Sequence, residues 1–214
     1  MSIKKIVHVV WVNNYFPEMC QLTLPLLENY SKKIGAELNL ITERKFPEFP
    51  PTYEKLQVYE DGKDSDWNIL LDADMVVGPN APDVTLQLSL DTVGLQSGFD
   101  ASTMFVADQY FLRDGRKIGM AGGFIVTSGL THDLWTPLEF GYDIAKTKTK
   151  RQHIVDEYCL SRNLAKFGLK MNGIGQFEQF IHVGVAVDEL GNDIQETNEE
   201  KIERTKKIIK RLYE

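Results

Sequence analysis

Two aspartates, Asp72 and Asp74, interrupt the apolar run of residues 69–77. In a β-strand, side chains two positions apart lie on the same side, so this pair can converge on one point just beyond the end of the strand. Carboxylate oxygens are hard ligands that suit Mg²⁺ or Mn²⁺ and the phosphates that such an ion neutralises. The pattern therefore predicts a metal site, and the alternative is a solvated turn after a buried strand.

A histidine and two further acidic residues could complete such a site. His182 lies at or near the end of a predicted strand, and imidazole is a common metal ligand. The alternative is a histidine satisfied within the core or at the surface. Asp156 and Glu157 lie one turn before Leu160 on a predicted helix, so at least one of them could face a cleft. Their alternative role is that of acidic residues favoured by the helix dipole in the first turns.

Lys55 and a pair of glycines are candidates for binding a ligand directly. Lys55 could pair with a diphosphate as a point charge, or it could be an ordinary surface residue. Gly122 and Gly123 would let a ligand approach the backbone closely, or they mark a tight entry into a strand.

Other motifs with similar residues are excluded. An aspartyl phosphohydrolase would place its aspartates after the first strand with Thr two residues later, whereas Asp72 and Asp74 follow the predicted third strand and Val76 occupies the Thr position. The chain contains no Gly-Lys-Ser/Thr sequence of a P-loop, and its paired glycines lack the spacing of a dinucleotide-binding fingerprint.

The composition limits the classes of function. A chain of 214 residues that is 43% hydrophobic can bury a core as one large domain or two small ones. The net charge of −7 argues against nucleic acid as the main partner and gives no support for a polybasic membrane contact. Cys20 and Cys159 match no metal or redox spacing, and neither a signal peptide nor an apolar run of roughly 20 residues is present. We therefore expect a soluble, cytoplasmic protein with reduced cysteines.

Hydrophobic periodicity predicts alternating strands and helices, and hence an α/β fold with a mostly parallel central sheet flanked by helices. Pro25 is expected to kink or divide the first helix. Residues 83–117 are expected to be irregular apart from one strand. The predicted strands cover residues 6–12, 36–42, 67–71, 93–96, 120–127, 169–172 and 180–187, and the predicted helices cover 18–34, 52–62, 134–145, 152–167 and 196 onward.

Taken in this order, the motifs resemble those of GT-A glycosyltransferases, and most of all the glycogenin-like, family 8 branch. The strongest likeness is the stretch Ile-Leu-Leu-Asp-Ala-Asp-Met-Val-Val-Gly-Pro-Asn at 69–80, which resembles the metal motif of that branch. The resemblance implies that Asp72 contacts ribose and metal, and that Asp74 and His182 hold the metal. The small size of the chain is similar to that of minimal catalytic domains encoded by some large DNA viruses.

The same resemblance extends to the remaining candidates. It implies that Lys55 reaches the diphosphate and sugar, and that Asp156 and Glu157 lie near the reacting sugar. The residues that it implies for binding the nucleotide or sugar are Trp11, Val12, Asn13, Tyr15, Lys55, Asp72, Ala73, Gly122 and Gly123.

The sequence departs from the family pattern at three places. Ala121 offers no side-chain amide for a sugar, and Glu157 replaces a glutamine, which adds a charge near the reaction centre. After Gly184, the sequence Val-Ala-Val-Asp-Glu replaces a basic Lys-Pro-Trp element, so a diphosphate contact is lost or supplied elsewhere.

The implied activity is transfer of a sugar from a UDP-sugar to a hydroxyl of a glycan or glycoprotein, dependent on Mn²⁺ or Mg²⁺ and with retention at the anomeric carbon. The sugar would be a hexose such as glucose or galactose, or a deoxyhexose. We expect one catalytic domain over 1–214, with a nucleotide-binding half at about 1–80, an acceptor and sugar half at about 81–190 and a C-terminal helix at about 195–213. That helix could pack on the domain or lead into a longer polypeptide.

Two alternatives belong to other classes. A sugar nucleotidyltransferase would need a Gly-rich loop with Arg or Lys after the first strand, and the sequence Asn13-Asn14-Tyr15 is not such a loop. A non-catalytic module that binds sugar nucleotides would show binding without turnover.

Overall fold

The computed structural model describes residues 3–106, 108–184, 186–187 and 193–214. The strands are β1 (Lys5–Val10), β2 (Glu37–Ile41), β3 (Trp67–Asp72), β4 (Met75–Val77), β5 (Thr92–Leu95), β6 (Gly98–Asp100), β7 (Ile118–Met120), β8 (Phe124–Ser128), β9 (Lys170–Gly173), β10 (Phe180–His182), β11 (Ala186–Val187) and β12 (Asp193–Ile194). The α-helices are α1 (Pro17–Lys33), α2 (Val58–Asp61), α3 (Ala101–Met104), α4 (Gln109–Asp114), α5 (Tyr142–Ala145), α6 (Val155–Lys166) and α7 (Asn198–Tyr213). Short 3₁₀ helices cover Pro51–Gln57, Val84–Gln87, Gly129–Trp135, Lys146–Lys148 and Gln152–Ile154.

Six strands form the central sheet in the order β2-β1-β3-β8-β5-β9. β1 is parallel to both of its neighbours and β5 is parallel to β9, whereas β8 is antiparallel to β3 and β5. The predicted α/β fold with a mostly parallel sheet is therefore confirmed. Because the chain adds β2 on one side of β1 and β3 on the other, the loops after β1 and β3 separate and leave a crevice at their carboxyl ends.

The two faces of the sheet are covered by different helices. Alternate residues of β3 show this directly, since Ile69 and Leu71 pack in the core with α1, whereas Leu70 packs in the core with α6. This alternation is the period of two expected for a strand buried on both faces. The sheet is thus packed on both faces, and the loops that carry the candidate site lie at its carboxyl edge.

Two predicted helical features need correction. Pro25 does not divide the first helix, because the apolar face around Leu27 and Tyr30 is buried against the sheet and outweighs the single lost backbone hydrogen bond. The predicted helix at 134–145 is instead a 3₁₀ helix that ends at Trp135 and the separate α5. Pro137 disfavours helical geometry at the preceding Thr136, whose ψ is 119°.

Two predictions about the remaining segments also need correction. Residues 83–117 are more regular than expected, because β6 pairs with β7, while Asp100 and Asp108 cap α3 and α4. The predicted strand at 180–187 is divided, since β10 ends at His182 and the chain bends at Gly184 before β11. That bend brings the segment against the turn after β3.

Among the described residues, no helix combines the length and the apolar character needed to cross a bilayer.

Candidate functional site

The turn between β3 and β4 carries the two aspartates. Asp72 is the last residue of β3, and Asp74 lies in the turn itself rather than in a strand. The Asp72 amide donates to the Gly123 carbonyl at 2.9 Å, and the Val183 amide donates to the Asp74 carbonyl at 3.0 Å. A carboxylate oxygen of Asp72 lies within 4.8 Å of one of Asp74, and the turn geometry brings them together instead of strand alternation.

His182 completes a group of three possible ligands. β10 pairs antiparallel with β4, and the register of His182 opposite Met75 places the imidazole beside the turn. Its Nε2 lies 3.2 Å from Asp74 Oδ1 and 3.7 Å from Asp72 Oδ2. One ligand atom from each of these three residues lies within 4.8 Å of the others.

This donor set fits a divalent cation. Neighbouring ligands of an octahedral ion with bonds of about 2.1 Å lie about 3 Å apart. The distances of 3.2 and 3.7 Å from His182 Nε2 to the two carboxylates are near this value. The ligand residues remain accessible, because the side chains of His182 and Asp72 are 38% and 22% exposed. Two carboxylates with one imidazole suit Mn²⁺ or Mg²⁺ in charge, and the nitrogen ligand favours the softer Mn²⁺.

Lys55 is a buried counter-ion between Asp72 and Asp156. Its residue is 6% exposed, and Nζ lies 2.8 Å from Asp72 Oδ1 and 3.4 Å from Asp156 Oδ2. Nζ also donates to the Gly122 carbonyl at 3.1 Å. The 3₁₀ helix Pro51–Gln57 thus delivers the lysine between two segments that are distant in sequence, and the predicted alternative of a surface lysine is wrong.

Both acidic residues at the start of α6 face Lys55 and the backbone of Gly122. Asp156 is 2% exposed beside Lys55, and the Glu157 carboxylate Oε1 accepts a hydrogen bond from the Gly122 amide at 3.0 Å. Burial, and next the charge of Asp156, raise the pKa of Glu157 to about 7.

Gly122 and Gly123 are packed too closely for a side chain to fit freely. A Cβ on Gly122 would lie 3.1 Å from both Lys55 Nζ and Asp156 Oδ2, and one on Gly123 would lie 3.2 Å from Asp72 Oδ2. The adjoining strand β8 therefore enters the sheet with its backbone directly against the acidic cluster. Ala121, which precedes the pair, is partly buried.

The loop after β1 and the turn that carries Asp72 and Asp74 both line a cleft of about 270 Å³. The backbone of the loop after β1 is strongly bent, with φ of 56° at Asn13 and 52° at Asn14, a conformation that asparagine tolerates. Trp11 Nε1 donates to the Tyr15 carbonyl at 2.8 Å, and the Tyr15 hydroxyl donates to Asp74 Oδ2 at 3.2 Å. The cleft is lined by Val10, Val12, Asn13, Tyr15, Pro51, Thr52, Lys55, Asp72, Ala73 and Asp74.

The charges of the site leave an excess of negative charge. Burial, and then the nearby Asp74 charge against the opposing effect of Lys55, raise the pKa of Asp72. Burial alone would raise the pKa of Asp74 and lower that of His182, but their mutual hydrogen bond and charges reverse both shifts. Four carboxylates, counting Asp156 and Glu157, thus face one lysine and one histidine, which favours binding of a cation.

Two residues that hold the site were not found by sequence reasoning. Thr23, fully buried in α1, donates from Oγ1 to the Ala73 carbonyl at 2.5 Å and so fixes the turn between the aspartates. A Cβ on Gly184 would overlap Asp74 Oδ2 and lie 2.9 Å from His182 Cε1. A Thr in a helical apolar face and a Gly after a strand carry no signal of their partners. The altered sequence after Gly184 covers residues 185–189, of which 185, 188 and 189 lie outside the described residues and 186–187 form β11.

Replacing Gly184 with alanine is expected to damage the cation site more than the fold. The new methyl group displaces the Asp74 carboxylate, so we expect Mn²⁺ affinity to fall by at least about tenfold and stability by about 1–3 kcal/mol. Isothermal titration with Mn²⁺ and thermal unfolding measure the two effects. Gly141→Ala is the matched control, because a Cβ there meets nothing within 4 Å. Equal affinities for the two variants would contradict this account of Gly184.

Replacing Glu157 with glutamine is expected to change the pH dependence of stability. The folded protein retains the Glu157 proton up to a pH of about 7, whereas the unfolded chain loses it near 4.5. Stability of the wild type should therefore fall as the pH rises through this window, relative to Glu157→Gln, by about 2–3 kcal/mol in total. Urea unfolding from pH 4.5 to 7.5 in the presence of a chelator measures the difference. Parallel stability curves would show that Glu157 titrates normally.

Comparison with known proteins shows similarity in fold but not in sequence. No family model matches the sequence, and no curated protein matches it. Among solved structures, the chain is similar to a glycosyltransferase involved in the glycosylation of the major capsid of PBCV-1, with a TM-score of 0.55 and 9% identity, covering 95% of this chain and 99% of that one. It is also similar to the bifunctional glycosyltransferase WbbM, with a TM-score of 0.51 and 13% identity, covering 83% of this chain and 40% of that one.

These likenesses establish the fold. The chain has the GT-A glycosyltransferase fold, and the fold class predicted from its sequence is confirmed. At 9% and 13% identity the comparisons do not distinguish branches, so membership of the glycogenin-like branch stays a prediction.

Proposed function

We propose that this chain is a glycosyltransferase that transfers a sugar from a UDP-sugar to an acceptor hydroxyl. The observation that carries the proposal is the convergence of Asp72, Asp74 and His182 at a cleft on the carboxyl edge of the sheet. This edge is where open α/β sheets bind nucleotides. The likeness in fold to a glycosyltransferase involved in capsid glycosylation supports the same class of activity.

Asp72, Asp74 and His182 would hold Mn²⁺ or Mg²⁺, with Mn²⁺ preferred because of the imidazole. Such an ion, when bound, neutralises the diphosphate and stabilises the negative charge on the departing UDP. Asp72 would also bind the ribose. Lys55 would keep Asp72 and Asp156 in place and share the charge of the diphosphate.

The bent loop after β1 would hold the nucleotide. Val12 and Asn13 line the cleft beside Ala73, and Tyr15 connects the loop to Asp74 through its hydroxyl. Uracil would lie against Trp11, Val12, Asn13 and Tyr15. The hydrogen bond from Trp11 to the Tyr15 carbonyl keeps this wall in a fixed shape before the ligand arrives.

Asp156 and Glu157, with the backbone at Gly122 and Gly123, would position the donor sugar. Asp156 would stabilise positive character at the anomeric carbon as the bond to UDP breaks, with retention of configuration. Glu157 accepts a hydrogen bond from the Gly122 amide, so its carboxylate would orient the glycine backbone toward the sugar. The sugar would be a hexose such as glucose or galactose, or a deoxyhexose, and the acceptor a glycan or glycoprotein. The unit over 1–214 would act as one catalytic domain.

A panel of UDP-sugars tests this function. We expect UDP release from at least one of them, dependent on Mn²⁺ or Mg²⁺ and abolished by a chelator. The panel should include UDP-glucose, UDP-galactose and a UDP-deoxyhexose, with water and simple glycans as acceptors. Release of pyrophosphate from UTP and a sugar 1-phosphate would instead identify a nucleotidyltransferase. Tight UDP binding without turnover on any donor would favour a non-catalytic module.

A further inference from the structure

The C-terminal helix α7 contacts the segment that carries His182. We call residues 182–184 the metal loop. The Val183 amide donates to the Asp74 carbonyl at 3.0 Å, and the Val183 carbonyl accepts a hydrogen bond from Arg204 Nη2 of α7 at 2.9 Å. Both polar groups of this fully buried residue are therefore used, one toward the aspartates and one toward α7.

The Arg204 guanidinium that contacts the metal loop is also held by the Glu196 carboxylate. Its Nε donates to Glu196 Oε1 at 2.8 Å and its Nη2 to Glu196 Oε2 at 2.7 Å, which is the paired geometry that makes an arginine–carboxylate contact strong. The side chains of Arg204 and Glu196 are only 25% and 12% exposed. The guanidinium therefore has little freedom to leave the Val183 carbonyl.

α7 also packs on β4 and β10, the paired strands beside the metal loop. Ile208, Ile209 and Leu212 pack on a small buried cluster that contains Val183. At the far end of the helix, the Tyr213 hydroxyl donates to the carbonyl of Val77, the last residue of β4, at 2.8 Å. The helix thus supports β4 and the metal loop together, so α7 packs on the domain.

We infer that Arg204 is a positioning residue for the metal centre, and the inference rests on the proposed function. A peptide unit is planar, so fixing the Val183 carbonyl also fixes the direction in which Gly184 leaves it. Gly184 lies directly against the Asp74 carboxylate, and His182 precedes the same peptide. Arg204 therefore sets the distance between the imidazole and the aspartates without touching either. Its role is that of the outer partners that orient metal ligands.

Mn²⁺ titration of the full chain tests this, in the absence and presence of UDP. Arg204→Ala should weaken Mn²⁺ binding by about tenfold or more, and Arg204→Lys should have an intermediate effect because one donor remains. Arg211→Ala, an exposed arginine on the same helix, should leave the affinity unchanged. Leu212→Ala loosens α7 through its apolar contact, so it should lower the melting temperature while changing the affinity by less than about twofold.

Amide hydrogen exchange without metal provides an independent readout. Exchange at the Val183 amide should speed up in Arg204→Ala and remain slow in Leu212→Ala under conditions where both are folded. Unchanged exchange and unchanged Mn²⁺ affinity in Arg204→Ala would overturn the inference. So would an equal loss of affinity in both variants at equal loss of stability. Absence of Mn²⁺ binding by the wild type would overturn the proposed function instead, while the exchange rates still decide whether Arg204 orders the loop.

Discussion

Asp74→Asn is expected to abolish metal-dependent binding of UDP while the domain stays folded. Asp74 is 5% exposed and lies at the centre of the ligand group, within 3.2 Å of both His182 Nε2 and the Tyr15 hydroxyl. Asparagine has the same shape and keeps an oxygen for one of these two contacts, which use different carboxylate oxygens, but it lacks the charge that holds a divalent ion. We expect UDP affinity measured with Mn²⁺ to fall by at least about 100-fold.

Stability should change little in the same variant. Replacing Asp74 removes both its repulsion with Asp72 and its attraction to His182, and these losses oppose each other, so the melting temperature without metal should shift by no more than about 4 °C. Asp64→Asn is the matched control, because Asp64 is exposed and lies before the start of β3, at the opposite end of the strand from Asp72. Calorimetry with UDP and Mn²⁺ measures the affinities. Full affinity in Asp74→Asn would remove this residue from the metal site.

Lys55→Met is expected to produce the largest loss of stability of any single change in the site. The methionine side chain replaces the apolar stem but leaves Asp72 and Asp156 facing each other without their counter-ion. Burial alone would lower the pKa of Lys55, but these two carboxylates outweigh it and raise the pKa, so the lysine is charged at neutral pH. Breaking such a buried pair costs about 3–5 kcal/mol. For a domain of this size the melting temperature should fall by about 10 °C.

Lys45→Met is the control for Lys55→Met. Lys45 pairs with Asp61 at 2.9 Å, but the two side chains are 52% and 26% exposed, so solvent screens their attraction. We expect a loss of less than about 1 kcal/mol in this variant. Sugar transfer by Lys55→Met, assayed well below its melting temperature, should fall by at least about 100-fold. Similar unfolding curves for the two variants would show that Lys55 is not the buried counter-ion of the aspartates.

The sequence indicated the fold and the candidate residues where the signal is local. The β-branched and apolar run before Asp72 predicts a strand buried on both faces, and β3 is such a strand. Asp72, Asp74 and His182 could be named because carboxylates and imidazole are metal ligands at the ends of predicted strands, and the family resemblance implies that they share one site. Their convergence depends on the pairing of β10 with β4, which periodicity does not specify.

Other features depend on contacts between segments that are distant in sequence. Whether Asp156 and Glu157 served a helix dipole or a cleft could not be decided from spacing, because both roles place acids in the first turn of α6. Their contacts with Lys55 and Gly122 favour the cleft. Thr23 and Arg204 contact the site through backbone carbonyls of distant segments. Every residue has a carbonyl, so the sequence does not indicate which one is the partner. Pattern analysis therefore finds the ligands of a site more readily than the residues that hold them.

Anomalous diffraction at the manganese edge, from crystals grown with Mn²⁺ and UDP, tests the central claim most directly. The account predicts one strong peak within about 2.5 Å of a carboxylate oxygen of both Asp72 and Asp74 and of His182 Nε2, with the UDP diphosphate on its open side. A peak elsewhere, or UDP bound in the cleft with no ion between these three side chains, would contradict it.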